Sequence, residues 1–225
     1  MSGATKNKPE KEGGLVMSGA TKNLESFIAS LCQKAKDLGA SQAVATPAAD
    51  IVLDERTPLK CLVPRCSHYD VHLMCPPNVL SVSKFREVLK CYHSAILIKI
   101  DIPLSDLLRS IGKGEEQPGA LTVEDWMNTE RYANKKLHEI VSQVESLCLK
   151  EGYYFAIGML GGTCPLCEEC VGIKSGLPCR HPFKARPATE AMGIDVMATA
   201  KKVGLDLSPS QDDESMSWVG LVIVS

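Results

Sequence analysis

Ser94–Ile102, SAILIKIDI, is the stretch on which the fold turns. It reads as a β-strand, apolar over Ala95–Ile98 and alternating towards its end. The other long apolar run, Val219–Val224, is also strand-sized, and Met216–Val224 is expected to form a final strand. Neither run approaches the roughly 20 apolar residues a membrane helix needs, so no membrane span is expected. Immediately before SAILIKIDI, Ser81–Tyr92 reads as a helix with Val82, Phe85, Val88, Leu89 and Tyr92 facing inward. Immediately after it, Pro103–Ile111 reads as a short helix that ends at Gly112–Gly114 and a polar loop.

Further out, Asn23–Leu38 carries Leu24, Phe27, Ile28, Leu31, Ala35 and Leu38 at helical spacing, and Gly39 stops it. Gln42–Ala45 and Ile51–Leu53 read as two short strands of an early hairpin, turning at Thr46–Pro47. Thr122–Lys150 is the longest helix, capped by Thr122 with Asp125 three positions on, and striped with Leu137, Ile140, Val141, Val144, Leu147 and Cys148. Tyr153–Leu160 reads as a strand, and Ala188–Val203 as a helix stopped by Gly204. The early hairpin and the late strand spoil a doubly wound pattern. The expectation is an α+β fold, a single mixed β-sheet covered by helices, with two cysteine-rich metal-binding loops.

Composition narrows the function. The chain has 225 residues, 44% of them apolar, and a formal charge of −2, so no basic excess points to nucleic acid. MSGATKN occurs at Met1–Asn7 and again at Met17–Asn23, and residues 1–22 are expected to be a disordered extension before one domain over residues 23–225. The N-terminus has no apolar signal-peptide core, so a cytoplasmic protein is expected. There are ten cysteines. In a reducing cytosol they serve metals or catalysis more often than disulfides.

The strongest motif is Gly161–Pro182, GGTCPLCEECVGIKSGLPCRHP. Cys164, Cys167, Cys170 and Cys179 make a C-x2-C-x2-C-x8-C run. Three cysteines at two-residue gaps wrap a loop around one compact object, as in the loops that hold [4Fe–4S] clusters. Zinc sites more often pair two separate C-x2-C knuckles, and a structural zinc on the same four thiols is the alternative. Pro165 stiffens the turn, and Lys174 and Arg180 are placed to tune a potential. The second group is Cys61, Cys66 and Cys75 in KCLVPRCSHYDVHLMCPPNV, closed by Pro76–Pro77. Its fourth ligand is open between Cys91, His68, His72, Cys179 from the other loop, and a non-protein group. A cubane on three cysteines leaves one iron free to bind a substrate, whereas three cysteines and one histidine also suit zinc. Cys32 and Cys148 read as packed core thiols.

CLVPRCSHYDVHLMCPP, KFREVLKCYHSAILI, the block from GGTCPLCEEC to AKKVGL and the ending SWVGLVIV together resemble a family of predicted metal-binding proteins, domain of unknown function 2284. The resemblance covers roughly Leu24 to the C-terminus. It implies an anaerobic bacterial or archaeal source and an iron–sulfur role, and it supplies no reaction. Where the family usually has Ser-Met after Arg186–Pro187, this chain has Ala188–Thr189, so Thr189 is expected to supply the helix cap. Cys91 does not look like a general family feature.

Of the remaining candidates, His181 reads as a loop histidine, His138 as structural, and Glu190 and Asp195 as a solvated helix surface. Lys184, Arg186 and Arg180 form a basic cluster beside the cysteine loop, suited to an acidic redox partner or a phosphate, or to offsetting the thiolates. Three functions are expected in turn. The first is a [4Fe–4S] protein, with one or two clusters, passing electrons to a redox protein partner in anaerobic metabolism. The second is an enzyme whose open iron at Cys61, Cys66 and Cys75 binds a small substrate or sulfur species. The third is a zinc-stabilised scaffold.

Overall fold

The computed structural model describes residues 17–113, 121–207 and 214–225. In chain order it runs α1 (Met17–Asp37), β1 (Gln42–Pro47), α2 (Leu59–Leu62), α3 (Val82–Leu89), β2 (Ser94–Pro103), α4 (Leu104–Ser110), α5 (Val123–Lys150), β3 (Ile157–Leu160), α6 (Val196–Val203) and β4 (Ser215–Val224). The four strands form one sheet in the order β1-β2-β4-β3. The α+β class is as expected, but the sheet is not mixed: each of its strand pairs is antiparallel. The parallel contact present is an isolated bridge between Leu160 and Ala188.

SAILIKIDI is the inner strand β2, and its longest partner is the other apolar run. Ser94 lies opposite Val224 and Pro103 opposite Ser215, so Ala95–Ile98 pairs with residues of Val219–Val224. Alternate side chains point to opposite faces of a sheet. Ile96, Ile98, Ile100 and Ile102 join Leu31 of α1, Leu107 of α4, and Leu137, Val141 and Val144 of α5 in one core. Ala95 and Leu97 join Phe85 and Leu89 of α3, Ile194, and Ala200 of α6 in a second. A strand buried on both faces needs no polar side, which accounts for the unbroken run. The alternation begins at Lys99 and Asp101, which pair with each other at 3.2 Å. Each fully buried isoleucine of β2 contributes about 1.5–3 kcal/mol.

The expected hairpin does not form. β1 extends to Pro47, the chain takes a 3-10 turn over Ala48–Asp50, and Ile51 sinks into the second core. Leu53 makes an isolated bridge to Ile194 instead of pairing back on β1. β1 is paired along its length with β2, and the Ala48 N–H is held by the His93 carbonyl at 3.0 Å. Helix α1 starts at Met17 rather than Asn23 and so takes in part of the expected extension. The first MSGATKN copy and the rest of residues 1–16 lie outside the described residues, as does most of the polar loop after α4. Thr122 and Asp125 do form a reciprocal capping box on α5.

The expected helix over Ala188–Val203 is broken in two. A 3-10 turn covers Glu190–Met192, Gly193 takes φ +85°, and α6 begins only after Asp195, whose carboxylate accepts from the Ala198 N–H at 2.9 Å. Thr189 caps nothing. Its hydroxyl donates to the Leu160 carbonyl at 3.2 Å and to Glu190 at 2.8 Å. Periodicity alone cannot register such a break, because the glycine sits where a helical glycine would also be tolerated. A Cβ on Gly193 would stand 2.5 Å from both methyl carbons of Val82. Gly193→Ala therefore combines a left-handed backbone penalty with overpacking, and is expected to cost about 2–4 kcal/mol in denaturant unfolding. A loss below about 0.5 kcal/mol would show that the turn relaxes without cost.

Candidate metal centre

The C-terminal cysteine loop leaves the sheet at the end of β3 and returns to the same point. The Leu160 N–H donates to the Pro187 carbonyl at 3.0 Å, and the Thr189 N–H donates to the Leu160 carbonyl at 2.8 Å. Residues 161–186 thus form a loop closed at its base. Helix α5 grips the returning arm. Glu145 pairs with Arg186, both buried, and the Arg186 guanidinium also donates to the carbonyls of Ala185 at 2.9 Å and Phe183 at 3.2 Å. His138 meets the Lys184 carbonyl at 2.7 Å. Gly158 makes room, since a Cβ there would lie 2.6 Å from Val141 and 2.9 Å from the Glu145 carboxylate. Arg186 is therefore not part of a surface basic cluster with Arg180 and Lys184: its charge is consumed inside.

The N-terminal cysteine segment is a chain of tight turns. The Cys66 N–H donates to the Cys61 carbonyl at 2.9 Å, Cys75 to His72 at 3.1 Å and Asn78 to Cys75 at 3.0 Å. Asp70, at φ 59°, donates its N–H to the Pro76 carbonyl at 2.9 Å and folds the segment on itself. The two loops touch. A Cβ on Gly172 would lie 3.2 Å from the Val71 carbonyl, and the Ala188 N–H reaches the Met74 carbonyl at 3.4 Å.

That contact brings thiols of both motifs together. All ten cysteines are free. Cys75 is buried, and its thiol is pushed up to about 12 by burial first, then by the charges of Cys66 and Cys61 from its own motif and of Cys164 and Cys170 from the other. Burial, followed by Cys66 and Glu190, also raises the Cys61 thiol. Cys164 is raised by burial and held back by hydrogen bonds from the backbone N–H groups of Leu166 and Arg186, with Cys179 and Cys167 pushing it further up. The Cys179 sulfur accepts from the His181 N–H at 3.3 Å. Thiols this crowded cannot ionise together without a countercharge, and a thiophilic cation supplies one. Backbone N–H groups aimed at sulfur are the usual support for a thiolate-bound metal. The donor set therefore fits a metal group, although among the described residues no three His, Cys, Asp or Glu side chains stand ready around a single ion.

Beside the thiols is a cavity of about 380 Å³, lined among others by His68, His72, Cys164, Cys167 and Cys170. The two imidazoles meet edge to face at 5.7 Å. Burial and then His68 lower the His72 pKa, and the His72 Nδ1 is buried with no partner. Cys91 is exposed and is not among the thiols that act on Cys61, Cys75 or Cys164; it follows α3, next to Tyr92, whose hydroxyl donates to the Phe155 carbonyl at 2.8 Å, just before β3. Cys148 is wholly buried in the core, its thiol pushed up to about 12 chiefly by burial, and Cys32 packs half-buried at the edge of the same core.

Some site residues are not evident from their residue types. Glu190 is not on a solvated helix: it is half-buried, and burial raises its carboxyl despite the Thr189 hydrogen bond. Glu145 was legible in principle, since it falls inside the stripe Val141, Val144 and Cys148. Asn134 is fully buried with neither amide atom partnered, pressed against Gly162 at the start of the loop.

The description "predicted metal-binding protein (DUF2284)" matches residues 44–224. The chain belongs to this family. No curated protein and no solved structure matches it. The DUF2284 match takes in both cysteine segments and all but the first residues of the sheet, and leaves out α1. Metal binding is thereby supported for the chain, with the kind of metal left unspecified by the family description. None of the described helices is long and apolar enough to cross a membrane.

Two outcomes are expected. Glu145→Ala strands a buried guanidinium and should cost about 3–5 kcal/mol in denaturant unfolding, with Glu145→Gln losing less; equal stability of Glu145→Ala and wild type would remove the ion pair as the loop's anchor. In metal-free protein alkylated at about pH 8, mass spectrometry should find exposed Cys91 modified well before Cys75 and Cys148, whose thiolates are scarce until the pH nears about 12. Equal labelling would mean that Cys75 is not held in the buried, thiol-crowded site.

Proposed function

We propose that this DUF2284 protein binds iron–sulfur clusters of the [4Fe–4S] type with Cys61, Cys66, Cys75, Cys164, Cys167, Cys170 and Cys179, and passes electrons to a redox protein partner in the cytoplasm of an anaerobe. The observation that carries the reading is the position of Cys75, buried within electrostatic reach of four thiols drawn from both motifs. The ferredoxin-like C-x2-C-x2-C run supports iron over zinc. When bound, the cluster supplies one-electron chemistry at a potential tuned by hydrogen bonds to sulfur and by solvent exposure. The chain's own part is to hold the sulfurs, to direct the N–H groups of Leu166, Arg186 and His181 at them, and to keep Cys75 and Cys164 from water.

Protein purified without oxygen, assayed for iron, sulfide and zinc and examined by EPR after dithionite, tests this. About four irons with matching sulfide mark one cluster and about eight mark two, with a reduced-state signal in either case. Cys75→Ser is expected to lose at least about half of the bound iron while keeping the far-ultraviolet circular dichroism of the wild type. Zinc without iron overturns the redox reading.

A further inference from the structure

The cavity beside the thiols has a wall that the iron–sulfur reading leaves unused. Glu124 and Glu130 reach it from the first turns of α5, and Glu168 and Glu169 from the cysteine loop itself. These four carboxylates face a single lining guanidinium, Arg131, which donates to the Glu168 carbonyl at 3.4 Å. The same cavity is lined by the half-buried imidazoles of His68 and His72 and by the thiols of Cys164, Cys167 and Cys170, of which Cys164 is buried, whereas Glu124, Glu168 and Glu169 are exposed. The Nδ1 of His72 is buried with no hydrogen-bond partner among the described residues, which leaves that ring atom open to a cation. The cavity thus offers exposed carboxylates, half-buried imidazoles and half-buried to buried thiols, donors that range from harder to softer. A concave surface with one sign of charge focuses the field and raises the local concentration of the opposite ion.

We infer that this cavity is the entry route by which a divalent first-row metal ion reaches the thiols, with the four glutamates capturing the hydrated ion electrostatically and the histidines handing it inward. The inference rests on the thiols being a metal centre. It adds a role for residues that hold no metal at rest, so their loss alters how fast metal arrives and leaves the amount bound unchanged.

Co²⁺ alone, mixed with reduced metal-free protein in a stopped-flow absorbance experiment, reads arrival directly through the thiolate-to-cobalt charge-transfer band. The triple variant Glu124→Gln, Glu168→Gln, Glu169→Gln keeps the backbone carbonyls that Arg131 and Arg180 use. Its control is Glu25→Gln, Glu151→Gln, on exposed positions away from the cavity. At low ionic strength the triple variant should load on the order of ten-fold more slowly than the control, with the same final absorbance. Raising the salt should slow the wild type towards the variant. Equal rates for variant and control, or a wild-type rate indifferent to salt, overturn the entry route while leaving the metal centre intact. Absence of the charge-transfer band in the wild type also overturns this inference, since no single divalent ion then reaches the thiols, while the iron–sulfur reading stands or falls on the iron and sulfide assay.

Discussion

Glu145 of α5 and Arg186 at the foot of the cysteine loop pair inside the protein, in a space kept open by the missing side chain of Gly158. A buried charge without its partner is costly, so the two hold each other in register. The same Arg186 directs its backbone N–H at the Cys164 sulfur and its guanidinium at the carbonyls of Phe183 and Ala185. One residue thus ties the rigid core, through the longest helix, to the first sulfur of the C-terminal motif. Together with the clasp of Leu160 between Pro187 and Thr189, it turns a 26-residue excursion into a loop with a fixed base.

On that base the second constraint acts, the mutual repulsion of thiolates. Cys75 and Cys164 are buried in contact with water-excluding neighbours, and each feels further sulfur charges close by. In a metal-free chain those groups are held as neutral thiols. A cation would reverse the preference, so a metal held there would release protons on binding and add its binding free energy to the stability of both loops. The turns of the N-terminal segment, which bury few apolar side chains of their own, would gain most from that coupling.

The sheet was the most legible part of the chain, because SAILIKIDI and the final strand are runs that only a doubly covered strand can carry. The capping box on α5 was equally local, since both of its members lie within one turn of the helix. The failures occurred where a distant partner decided the outcome. Ile51–Leu53 looks like a strand by its side chains, yet its neighbour is Ile194 rather than β1. Gly193 looks like a tolerated helical glycine, yet Val82 presses on the place where a Cβ would be. Arg186 looks like one of three surface cations, yet Glu145, 41 residues earlier, takes its charge.

What the sequence by itself determined was the chemistry on offer: two cysteine groups, their spacing, and an apolar pattern that makes an α+β fold around a sheet. Spacing within a motif sets how thiols can share one object, because a few residues of chain permit few geometries. Only the tertiary structure decided that the two groups lie side by side, that Cys91 stands apart from them, and that acidic and imidazole side chains line a cavity leading to the sulfurs. Those facts depend on which surfaces the β3 clasp and the turns of the N-terminal segment bring into contact. No local pattern carries that information, because the segments concerned lie about a hundred residues apart and meet only through the packed core between them.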